Sequence, residues 1–127
     1  MARVRQNGTA PELTVRKLLR QLGYRFSIKG RSLPGSPDIV NRKAKIAIFV
    51  HGCFWHRHIG CPYSTTPKTN IAFWRDKFKK NRARDATKVH ELRSMRYRVV
   101  TIWACQLKTS RGLRGIAQRL ARIFENA

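Results

Sequence analysis

The chain has 127 residues, of which 28 are Lys or Arg and only 6 are Asp or Glu, giving a formal net charge of +22. That length suits one domain of roughly 100–200 residues, and a hydrophobic content of 42% supports a core in spite of the charge. No apolar run approaches the ~20 residues that span a bilayer, residues 1–21 lack the apolar stretch of a secretion signal, and so large a positive charge calls for a polyanion, most commonly nucleic acid. An anionic membrane surface would instead favour a basic amphipathic helix or a lipid anchor, and no lipidation motif is present.

Thr9 can cap a first helix, with Glu12 at N3 completing a capping box. Val15, Leu18, Leu19 and Leu22 recur at helical spacing until Gly23 stops the run. Residues 24–28 are predicted as a short strand and residues 29–37 as a basic loop rich in Gly, Ser and Pro. Residues 38–40 and 45–50 are predicted as two strands around a polar turn at 41–43. Ile46-Ala47-Ile48-Phe49-Val50 shows no alternation, so it reads as a central strand buried on both faces. Residues 51–67 are irregular and dense in Cys, His and aromatics. A long helix over residues 70–95, a buried strand over 97–103 and an amphipathic helix over 112–124 complete the chain. The last helix turns Leu113, Ile116, Ala117, Leu120 and Phe124 inward. The order α-β-β-β-α-β-α implies an α/β fold, a mixed sheet with helices on its faces, and a single domain over residues 1–127.

The long helix carries an apolar stripe through Ile71, Trp74, Phe78, Val89 and Leu92, interrupted by Asn81 and Asp85 at i, i+4. A local bend would account for the gap. Alternatively, this face lines a polar site. The other faces carry Arg75, Lys77, Lys79, Lys80, Arg82, Arg84 and Lys88, a phosphate track or simply a solvated surface.

The three cysteines are Cys53, Cys61 and Cys105. An odd count argues against closed disulfides and for a reducing cytoplasm. They could be small buried apolar residues. However, Cys53-x4-His58-x2-Cys61 lies in one loop and Cys105 follows the last strand. Three thiolates and an imidazole would form a closed tetrahedral Zn2+ site, structural because no position is left open. His56, three residues after Cys53, competes as the imidazole, and spacing leaves that choice open.

Asp38 begins one strand and His51 ends the next. A carboxylate with a second ligand on the adjacent strand suits Mg2+, which prefers oxygen and keeps several waters, and metal-assisted phosphodiester cleavage could follow. Many nucleases carry Glu-x-Lys on the second strand, whereas this chain has Phe49-Val50-His51. Of the acids Glu12, Asp38, Asp76, Asp85, Glu91 and Glu125, Asp38 and Asp85 stand at positions where a merely basic protein would not need them. Glu12 reads equally as a helix cap or as a catalytic group.

Three stretches are distinctive: Leu33-Pro34-Gly35-Ser36-Pro37-Asp38 followed by Phe49-Val50-His51-Gly52-Cys53-Phe54-Trp55-His56; Phe73-Trp74 with Lys80-Asn81-Arg82-Ala83-Arg84-Asp85; and Trp103-Ala104-Cys105. Together, over about Thr9 to Cys105, they resemble the very-short-patch-repair (Vsr) mismatch endonucleases. The resemblance implies a restriction-endonuclease-like fold. It also implies nicking of one strand of duplex DNA 5′ to the thymine of a T·G mismatch formed by deamination of 5-methylcytosine. By position, Asp38 would hold Mg2+. Val50 stands where the family often has threonine, and its backbone carbonyl would serve equally as a ligand. His56 would be the general base, Asp85 would orient it, His51 would assist at the phosphate, and Glu12 would support the metal or its waters. Cys53, His58, Cys61 and Cys105 match the structural zinc ligands, which assigns His58 rather than His56 to zinc. Phe54, Trp55 and Trp74 match aromatics that wedge into the base stack beside the mismatch. Asn81, Lys79, Lys80, Arg82 and Arg84 would contact DNA. Residues 1–8 would be a short version of the family's DNA-clamping arm. Double-stranded DNA carrying T·G is the implied partner and mismatch-repair proteins are further candidates. A monomer suffices for a one-strand nick. The competing readings are a zinc-stabilised DNA-binding module without catalysis and a nicking or restriction-type endonuclease of other specificity.

Overall fold

The computed structural model describes residues 8–53, 58, 61, 62, 65 and 67–127. Thr9 caps α1 (Ala10–Leu22) by accepting from the Glu12 N–H at 3.4 Å, and Gly23 closes the helix in the left-handed region at φ 81°. Glu12 accepts from the Gly8 N–H at 2.9 Å, one residue before the cap, and a carboxylate in the first turn complements the helix dipole.

Three strands form one mixed sheet in the order β1 (Ile39–Asn41), β2 (Ile46–His51), β3 (Arg98–Trp103). β1 runs antiparallel to β2, with Ile39 opposite Ile48. β3 runs parallel to β2, from Ile46 opposite Arg98 to His51 opposite Trp103. Parallel neighbours need a crossover, and α2 (Ile71–Ser94) provides it. A 3-10 turn (Ala104–Leu107) leads into α3 (Ser110–Glu125), which Thr109 caps by accepting from the Gly112 N–H at 3.0 Å.

The period of two along a strand sorts the side chains onto two faces. Ile46, Ile48, Val100 and Ile102 pack with Val15 and Leu19 of α1 and Ile116 and Leu120 of α3. Ala47 and Phe49 turn to the other face, with Leu33, Val40 and Leu92 of α2. The central strand is thus covered on both sides, as its unbroken apolar run requires, and each fully buried Ile contributes about 1.5–3 kcal/mol. No helix among the described residues is long and apolar enough to cross a membrane.

Two expectations are corrected. Residues 24–28 form no strand; only Ser27 bridges Val40, exchanging hydrogen bonds of 2.7 and 2.8 Å. The ladder stops there because Asn41 donates its side-chain amide to the Arg25 carbonyl at 3.0 Å, and Tyr24 stacks on Phe124 of α3 at 4.7 Å. The α2 stripe does not begin at Ile71, which is 51% exposed; burial is concentrated at Phe78, which stacks with Trp74, and at Leu92, which packs against the sheet.

Candidate active site and thiolate metal centre

The basic loop delivers Asp38 to the sheet. Gly30 is buried, and a Cβ there would collide with the Pro37 carbonyl, so only glycine lets the loop close on itself immediately before Asp38. Gly35, at φ 74°, lies against Phe49 and Lys88 of α2. Asp38 then donates its N–H to the Ile48 carbonyl at 3.0 Å, and its carboxylate accepts from the Val50 N–H at 2.7 Å. The predicted carboxylate and the predicted carbonyl residue are therefore neighbours, joined by a short charge-assisted bond.

His51 is the next residue on β2. It is buried and faces α2, 5.6 Å from the Phe49 ring and edge-on to Trp103 at 5.3 Å and 75°. His51, Trp103 and Asp85 line one cavity of about 630 Å³ between α2 and the ends of β2 and β3. The structure thus brings Asp85 and His51 together, although 34 positions separate them in the sequence. Among the described residues Asp38 does not line this cavity; its carboxylate is held by the N–H of Val50, the residue before His51. Glu12 is only 3% exposed, and its described partners are Gly8 and Arg16, the latter at 3.4 Å. His56, Phe54 and Trp55 lie outside the described residues.

The metal-binding expectation has a geometric counterpart. The ligand atoms of Cys53, His58, Cys61 and Cys105 all lie within 4.8 Å of one another, and Cys105 Sγ is 3.4 Å from His58 Nδ1. Bonds of ~2.3 Å to sulfur and ~2.0–2.1 Å to nitrogen at the tetrahedral angle put such a pair about 3.5 Å apart. The loop is shaped by its backbone, with the His58 N–H on the Cys53 carbonyl at 3.0 Å and the Cys61 N–H on the His58 carbonyl at 3.3 Å. Burial, and then the adjacent Cys53 and Cys61, push the Cys105 thiol up to about 12. A cation among the sulfurs would reverse that penalty, because coordination deprotonates a thiol outright. The set can hold a metal such as zinc.

Trp103 joins the two sites. Its indole stacks on His58, with centroids 4.3 Å apart and planes at 9°, while its edge contact reaches His51. Gln106 accepts the Trp103 N–H at 2.9 Å and holds the strand end in place. Sequence reasoning marked Trp103 as part of a distinctive stretch without giving it a role, and did not single out His90 and Arg93, which line the same cavity. The signal for Arg93 was present: Asp85, Val89 and Arg93 repeat every four residues and share a helix face.

The proposed DNA-contacting cations do not form one face. Arg82 lines the cavity, while Lys79, Lys80 and Arg84 are exposed beyond it, and Lys80 pairs with Asp76 at 3.0 Å. At 100° per residue, Lys80 and Arg84 project from the side opposite Arg82. Asn81 is half-buried. Trp74 is half-buried and offset from Phe78 at 5.7 Å, whereas Phe73 is 59% exposed.

Comparison with known proteins identifies the chain's relatives. The family model described as DNA mismatch endonuclease Vsr matches residues 1–61. A type II nicking enzyme, V.XorIIP, of Xanthomonas oryzae pv. oryzae is 42% identical over 125 residues, covering 98% of this chain and 89% of its own. A second, V.NmeAIP of Neisseria meningitidis serogroup A, is 37% identical over 127 residues, covering 100% of this chain and 90% of its own. The DNA mismatch endonuclease Vsr of Escherichia coli K12 is 37% identical over 108 residues, covering 85% of this chain and 69% of its own.

Proposed function

The chain belongs to the Vsr family of DNA mismatch endonucleases, and from that premise we propose that it nicks one strand of duplex DNA 5′ to the thymine of a T·G mismatch left by deamination of 5-methylcytosine. The observation that carries this reading is the meeting of His51 and Asp85 in one cavity beside the Asp38–Val50 pair. A protein that only binds DNA has no use for carboxylates there, since they repel phosphate. The mixed sheet with helices on both faces supports a restriction-endonuclease-like fold.

Asp38 and the Val50 carbonyl would hold Mg2+, a hard ion that needs few protein oxygens and keeps its waters. Bound there, it would supply Lewis-acid polarisation of the scissile phosphate. The Val50 N–H keeps the Asp38 carboxylate turned toward β2. His56 acts as general base on the attacking water, and Asp85 orients its ring. His51, fixed between Phe49 and Trp103, donates to the phosphate. Glu12, engaged in the cap of α1, would support the metal or its waters. Cys53, His58, Cys61 and Cys105 would hold a structural Zn2+, tying the segment of Cys53, His58 and Cys61 to Cys105 just past β3. Phe54, Trp55 and Trp74 open the step beside the mismatch, which costs less to unstack than a paired one. A reducing cytoplasm is the compartment, and a monomer the working unit.

The test is cleavage of a labelled duplex carrying T·G against its T·A control, with Mg2+ and then with EDTA. Nicking of the T·G duplex alone, lost in EDTA, is the expected result. No cleavage of either duplex would leave a zinc-stabilised DNA-binding module. Equal cleavage of both would leave an endonuclease of other specificity.

A further inference from the structure

The cavity that holds His51 and Asp85 extends along α2 well past them. Arg82 precedes Asp85 by one turn, Ala86, Val89, His90 and Arg93 follow it along the helix, and Thr101 of β3 faces them. From Asp85 to Arg93 is eight residues, about 12 Å at 1.5 Å per residue. Because α2 returns the chain between two parallel strands, it runs against them. Asp85 therefore lies near Trp103 and the strand ends, and Arg93 lies near Thr101, deeper along the sheet. Ala86, exposed, and Val89, half-buried, are the apolar residues of α2 along the groove. Asp85 and Arg82 stand at the catalytic end of the lining, and Arg93, beside His90, stands at the other.

We infer that this groove carries the sugar–phosphate backbone of a DNA strand away from the catalytic site, with Arg93 and His90 binding a phosphate remote from the one that is cut. The inference rests on the nuclease reading for the identity of the cut strand, but not for the binding itself. One strand of a duplex presents a phosphate every ~3.4 Å of axis, so about 12 Å spans roughly three of them. Arg93 is exposed at the far end, and its guanidinium suits bidentate contact with a phosphate.

The experiment is binding of a fluorescent 20-base-pair duplex by the full chain, with T·G or with T·A, across a series of NaCl concentrations. Arg93→Gln should reduce the slope of log K against log salt by about 0.9, one phosphate contact, and weaken both duplexes alike. Arg93→Lys should keep most of the slope. Lys17→Gln, an equal loss of charge on exposed α1 across the sheet, should leave it near wild type. If Arg93→Gln leaves the slope unchanged, if Arg93→Lys falls as far as Arg93→Gln, or if Lys17→Gln matches it, the proposal is overturned. Wild-type nicking is scored separately. In a nicking enzyme, Arg93→Gln should raise KM with little change in kcat, and absence of nicking would overturn the nuclease reading while the salt slopes still decide the groove.

Discussion

The Trp103 indole lies flat on the His58 imidazole, 4.3 Å between centroids and 9° between planes. The same indole meets His51 edge-on at 5.3 Å. A residue of the thiolate centre and a residue of the candidate active site are thus two faces of one side chain's environment. A metal bound by His58 would fix the plane of Trp103, and Trp103 would limit the plane of His51.

Trp103→Ala removes both aromatic contacts. Each such pair is worth about 0.5–1.5 kcal/mol beyond buried area, so unfolding should be easier by about 1–3 kcal/mol in denaturant titration. Nicking should fall further than stability explains, because His51 loses a wall. Trp103→Phe should recover most of both, and an Ala variant with wild-type stability and rate would contradict the coupling.

Asp38→Asn keeps the shape of the group that accepts from the Val50 N–H but removes its charge. Nicking should drop about a hundredfold or more, the scale of losing a metal site's support. Affinity for duplex DNA at low salt should hold or rise, since one negative charge has gone. Loss of binding with the charge would make Asp38 a structural residue.

Cys105→Ser leaves Cys53, Cys61 and His58 with an incomplete set. Bound zinc per chain, measured by elemental analysis, should fall from about one toward zero. The melting temperature should fall with it, as metal binding free energy is folding free energy. Chelation of the unaltered chain should produce the same shift, and unchanged zinc in the Ser variant would refute the ligand set.

Gly30→Ala places a Cβ against the Pro37 carbonyl. Overpacking of this kind costs about 1–3 kcal/mol. The loop must shift just before Asp38, so nicking should fall together with stability, whereas Gly115→Ala on α3, with open space around it, should not lower stability.

The local features of the chain were legible in its sequence because their causes are local. Thr9 and Gly23 bound α1 through bonds made within a few residues. The unbroken run Ile46–Val50 is central because both faces of that strand must be covered. Cys53, His58, Cys61 and Cys105 could be named together because few other roles suit three thiols and an imidazole at that spacing, and they do converge within 4.8 Å.

Only the tertiary structure decided what depends on pairing and docking. Residues 24–28 have the composition of a strand, yet the Asn41 amide and the Tyr24–Phe124 stack end their ladder after one bridge. Glu12 could have been cap or catalyst by spacing, and the fold commits one oxygen to Gly8 and Arg16. His90 and Arg93 looked like ordinary residues of a solvated helix until α2 crossed the sheet and turned them into the cavity of His51 and Asp85. A sequence states propensity, capping and ligand type residue by residue. Which faces meet is set by strand register and by the angle at which a helix lies on the sheet, and those emerge only when the whole core packs at once.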